Sequence, residues 1–124
     1  MASQPKNILL ILSDQQRLDS IGAYGAALGG TPNVDALAAR GVRFTQAYTP
    51  CTVCSPARAS ILSGVYPHQH GVTANGGVFR QELPNLARSL LAREYRLGFS
   101  GKWHIDDTYG PTHFGFHAND WLGY

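Results

Sequence analysis

The sequence predicts an α/β domain with a mostly parallel sheet flanked by helices. Three observations carry that expectation. Ile8 to Leu12 is an unbroken aliphatic run, the pattern of a strand buried on both faces of a parallel sheet. Strand-like and helix-like segments then alternate along the chain. Hydrophobic content is an ordinary 44%, but only 15% of residues are charged, against about 25% in typical domains, so much of the chain is built for burial.

The first strand ends in Ser13-Asp14-Gln15, which brings polar side chains to its carboxyl end. In open α/β sheets that edge binds ligands. Arg17 to Gly30 carries four glycines without a period and reads as a loop. Thr31-Pro32 is a cap followed by a proline; Val34, Leu37, Ala38 and Gly41 fall at helical spacing, and Gly41 ends the helix. Val42 to Tyr48 alternates loosely and reads as a strand. A helix over about Pro56 to Leu62 stops near Gly64, and Tyr66 to Gly77, rich in His, Gly and Pro, reads as loop. Leu83, Leu86, Ala87, Leu90 and Leu91 mark an amphipathic helix over Pro84 to Arg93. Tyr95 to Ser100 is a second core strand that delivers Lys102 and His104 at its end. On an extended backbone those two side chains share one side. Asp106 to Tyr124 shows no clear periodicity.

Several function classes are excluded early. A net charge of +2, with ten dispersed Lys and Arg residues, does not suit nucleic acid. The apolar run Ile8 to Leu12 is far too short to span a membrane. Met1 to Lys6 lacks the features of a signal peptide, so a cytoplasmic, reducing location is expected. Cys51-Thr-Val-Cys54 reads either as a thiol redox pair or as a small buried cysteine before a reactive one. A redox pair leaves Asp14, Pro56, Arg58 and Lys102 without a role, and zinc would need a second such pair.

Cys54-Ser-Pro-Ala-Arg58 concentrates the chemistry. Pro56 favours a helix start, where its missing N–H costs nothing. Cys54 then sits beside unpaired backbone N–H groups, a setting that binds anions. Arg58, one turn further on, can return toward it on the same face.

Cys-x-Pro-x-Arg resembles the core signature of the type I, formylglycine-dependent sulfatases. The resemblance continues in order along the chain. Asn7 to Gln15 is similar to the family's opening strand and first metal ligands, and Thr31 to Phe44 to its first helix and next strand. Gly64-Val-Tyr-Pro-His-Gln-His-Gly71 follows the nucleophile helix, Gly101-Lys-Trp-His104 matches the second signature, and Pro111 to Gly123 resembles the segment after it. Two departures, Ser63 for the usual Thr and Glu94-Tyr-Arg-Leu97 for Gly-Tyr-x-Thr, touch packing rather than chemistry.

The resemblance implies an alkaline-phosphatase-like fold, incomplete here, with residues 1–124 as the N-terminal part of the catalytic domain. It implies a sulfuric ester hydrolase whose nucleophile is a formylglycine derived from Cys54, with Arg58 beside it. The hydrated aldehyde attacks with one hydroxyl and expels sulfate with the other. Lys102 and His104 serve the substrate's oxyanion and the attacking group. The metal ligands are Asp14, Gln15 and residue 54, and calcium suits such oxygen donors, with manganese or another divalent ion as alternatives. Asn75 is either a substrate-oxygen donor or part of an Asn-Gly turn. Asp14-Gln15 resembles the branch with choline sulfatases and phosphonate monoester hydrolases, whereas Lys102 and His104 favour sulfatase. Partners are a small sulfate or phosphonate monoester and a segment completing the domain; neither nucleic acid nor a membrane is expected. His68 and His70 read as structural groups under the nucleophile helix, and Trp103 and Trp121 as core or pocket wall. A catalytically incomplete fragment is the reading from a different class.

Overall fold

The computed structural model describes residues 6–26, 30–117 and, for the backbone, 120–122. The chain divides into two compact units, residues 1–47 and 48–124.

The first unit is built on helix α1 (Pro32–Arg40), with two 3-10 turns, Leu18–Ser20 and Gly22–Tyr24, in the segment read as loop. Pro32 opens α1 as expected, but the Thr31 hydroxyl does not cap it. That oxygen accepts the Gly22 N–H (2.9 Å) and donates to Asp35 (2.9 Å), while Asp35 also accepts the Ala23 N–H (2.6 Å). These bonds tie the 3-10 turns to α1. The Arg43 guanidinium closes the other side, donating to the Ala23 carbonyl and lying over the Tyr24 ring. None of the described residues of this unit is fully buried.

The strands expected at Ile8–Leu12 and Val42–Tyr48 do not form, and no strand precedes Ser100 among the described residues. Ile8 to Leu12 expose 47–84% of their surface. The reason is physical: an apolar run records a preference for burial, while a strand exists only with a ladder partner. The described residues supply neither partner nor covering layer there.

The second unit holds the core. Helix α2 (Cys54–Ser63) is followed by a single turn, α3 (Pro67–His70), and by α4 (Leu86–Leu91). The first begins two residues before the expected Pro56. It closes at Gly64, whose φ of 74° is the left-handed value helices favour after their last turn. Within the expected loop, Pro67 and a bond from the Tyr66 N–H to Gln69 Oε1 (3.1 Å) make α3. The fourth helix is shorter than expected, starting where the Asn85 side chain accepts the Arg88 N–H.

Strand β1 (Ser100–Lys102) pairs in parallel with β2 (Asp120–Leu122), Gly101 opposite Trp121. It starts where the Tyr95–Ser100 strand was expected to end, and β2 arises in a segment without a periodic pattern. The buried core of this unit comprises Ala59, Leu62, Val72, Phe79, Ala87, Leu97, Trp103, Ile105 and Phe114. Trp103 is at the centre, 1% exposed, edge-on to Phe99 and against Phe114, with its indole N–H on the Tyr109 carbonyl (2.8 Å). It is core, as expected. The Trp121 side chain lies outside the described residues, as do Met1–Pro5.

Candidate active site

Cys54 is the first residue of α2. Val53 before it is extended and offers no side-chain cap, and the first helical bond runs from the Ala57 N–H to the Val53 carbonyl (3.0 Å). Pro56 therefore sits at the third helical position, still within the turn whose N–H groups have no helical acceptor. The Ser55 N–H is one of these. It is taken by the side-chain oxygen of Asn75 (3.3 Å), and the half-buried Cys54 thiol donates to the same oxygen (3.3 Å). One exposed turn thus supplies the cap that α2 lacks in its own sequence.

The Arg58 Nη1 donates to the Lys102 carbonyl (2.7 Å), joining α2 to the end of β1. Lys102 and His104 are both half-buried and flank buried Trp103. The shared-side argument fails, however: the strand ends at Lys102, and His104 has φ 46°, so the two-residue alternation does not run through it.

Beneath α2, fully buried His70 places Nε2 3.0 Å from Ser60 Oγ, and its Nδ1 accepts the Val72 N–H (3.2 Å). The proton therefore belongs on Nε2. Burial holds His70 below its ordinary pKa, a nearby Pro56 carbonyl opposes this, and His68 adds to it. His70 is structural, as expected. His68 is exposed and stacks on Tyr66.

Sequence reasoning missed Asp106. It is 6% exposed, and its carboxylate accepts the N–H groups of Phe79 (2.6 Å), Thr108 (2.7 Å) and Tyr109 (2.9 Å). The signal was Asp-Asp-Thr-Tyr-Gly, where an Asp bonding the amides two and three residues on makes a turn.

Asp14 and Gln15 are exposed and belong to the first unit, whereas Cys54, Arg58, Asn75, Lys102 and His104 belong to the second. Among the described residues no three His, Cys, Asp or Glu side chains converge on one point. Carboxylate and amide oxygens match a hard divalent cation in kind, but two protein ligands fall short of the roughly 6–8 oxygens calcium takes. A recess of about 620 Å³ in the first unit, between Gly22, Asp35 and Arg43, is lined by none of these candidates.

The chain carries part of the alkaline-phosphatase-like α/β fold. The phosphonate monoester hydrolase of Agrobacterium radiobacter superposes with a TM-score of 0.77 at 33% identity, over 89% of this chain and 24% of that one. A structure solved with its substrate D-glucosamine-2-N,6-O-disulfate gives a TM-score of 0.75 at 31% identity, over 82% of this chain and 20% of that one. The sulfatase family model matches residues 6–121, and the chain belongs to the sulfatase family. It is 39% identical to arylsulfatase A of Bos taurus, over 94% of this chain and 25% of that protein. The chain therefore spans about a quarter of the length of the curated relatives it matches.

Proposed function

We propose that the protein containing this chain hydrolyses sulfate monoesters, with residue 54, matured from Cys54, as the nucleophile. The observation that carries the reading is the single Asn75 oxygen bonded to both the Cys54 thiol and the Ser55 amide in the first turn of α2. A side chain that contacts both the reactive atom and a helix N-terminus stands where an oxyanion would be received. Hydrated formylglycine at position 54 would supply one hydroxyl for attack on sulfur and another for release of sulfate.

The chain's own groups divide the remaining work. Arg58 holds the first turn of α2 against the end of β1 through the Lys102 carbonyl. That contact brings the segment bearing Lys102 and His104 to the nucleophile helix. The Lys102 ammonium and the His104 imidazole neutralise charge that grows on the substrate's oxygens, and one such donor is worth about 3–4 kcal/mol in the transition state. Asn75 keeps its oxygen toward residue 54 and offers its N–H groups to the substrate. Asp14, Gln15 and residue 54 would hold a divalent cation, calcium by preference, whose charge would acidify the nucleophile; further ligands come from outside this chain.

Peptide mass spectrometry across residues 51–58 of the intact protein tests maturation. An aldehyde or its hydrate at position 54 is expected, and an unmodified thiol in fully active protein would overturn the reading. Gln15 and the similarity to the Agrobacterium phosphonate monoester hydrolase favour a second reading, a phosphonate monoesterase on the same scaffold. Turnover of matched aryl sulfate and aryl phosphonate esters separates the two: the sulfate is expected to have the higher kcat/KM.

A further inference from the structure

Asn75 touches the reactive thiol, yet it stands on an exposed turn with almost no packing of its own. Its placement must come from the base of its loop. That base is closed by the Arg80 N–H on the His70 carbonyl (3.0 Å) and is weighted by buried Val72 and Phe79. Phe79 in turn donates its N–H to Asp106 Oδ2 (2.6 Å). The turn itself lies close to the same segment: a Cβ added at Gly76 would meet Asp107 Oδ2 at 3.5 Å.

The other oxygen of Asp106 faces the opposite way. Oδ1 accepts the Thr108 and Tyr109 N–H groups, and the Tyr109 carbonyl accepts the indole N–H of Trp103, the residue between Lys102 and His104. We propose that Asp106 is a positioning residue: its buried carboxylate clamps the loop bearing Asn75 to the arm bearing Lys102 and His104. This rests on the sulfatase reading for its catalytic consequence, though the clamp itself does not.

The chemistry requires a carboxylate. Three N–H donors converge on two oxygens, and an acceptor-only group serves both sides at once. Asparagine would keep one oxygen and turn an NH2 against a donor on the other side, so Asp106→Asn releases one half of the clamp. Misplacement of a positioning group by about 1 Å can cost on the order of a hundredfold in rate. In the intact, matured protein, Asp106→Asn should lower kcat on the order of 10- to 100-fold, with a smaller change in KM. Asp106→Glu, which keeps the charge, should fall between it and wild type.

The deciding measurement is the double variant. In an Asn75→Ala background, Asp106→Asn should change kcat by less than about twofold, because the group it positions is gone. Thermal midpoints should drop equally in both backgrounds. Independent, multiplicative losses in kcat would overturn the proposal and leave Asp106 a purely structural residue. A second readout does not depend on turnover. In protein with Cys54 unconverted, alkylation of that thiol should accelerate by a similar factor in Asn75→Ala and Asp106→Asn. An Asp106→Asn rate equal to wild type would overturn the clamp. If the wild-type protein turned over neither ester, the functional reading would fall, and the alkylation rates would still decide on Asp106.

Discussion

At the scale of single residues, His70 makes the sharpest statement. Its Nδ1 accepts a backbone N–H, so protonation there would set two donors against each other, and burial further disfavours the charged ring. The native state thus takes up this proton less readily than the unfolded chain does. Its contribution is fully present above the ordinary histidine pKa of 6.5 and is lost as pH falls below it. The thermal midpoint should therefore fall between about pH 7.5 and 5, and His70→Gln should flatten that dependence. As candidates for the site, Cys54, Arg58, Lys102 and His104 were legible in the sequence because their types and spacing match the family's motifs. Their contacts were not. Nothing in the spacing said that Arg58 would bind the Lys102 carbonyl, or that an oxygen from residue 75 would cap α2.

At the scale of elements, helices were easier to read than strands, because a helix closes its hydrogen bonds within a few residues. Pro32, Gly41 and Gly64 marked helix ends that the structure keeps. One local conflict is testable. Glu94, in a stretch where sulfatases often carry glycine, has φ 63°, a left-handed value costing a side chain about 1–2 kcal/mol. Glu94→Gly should therefore raise stability by about 1 kcal/mol, after the greater entropy of the unfolded glycine is counted. A lowered midpoint in calorimetry would contradict this. The departure from Gly at this position is thus a matter of backbone conformation, not of packing alone.

At the scale of the whole molecule, the burial implied by the low charge content is reached only in the second unit. There Trp103 joins the aromatic cluster to the segment carrying Lys102 and His104. Trp103→Ala should cost about 3–5 kcal/mol, a large part of the roughly 5–15 kcal/mol that holds a typical domain, and should lower the thermal midpoint sharply. In the first unit, Ile8 to Leu12 remain exposed, so apolar sequence there is a preference that the described residues leave unmet. The sequence by itself determined the family, through the order of its motifs, and the start of α1 and the ends of α1 and α2, which follow from local proline and glycine chemistry. Only the tertiary structure decided that one Asn75 oxygen would serve both the Cys54 thiol and its helix, and that Asp106 would join the two arms. Those contacts link residues 20 to 27 positions apart, and such separations are closed by packing, which local pattern does not encode.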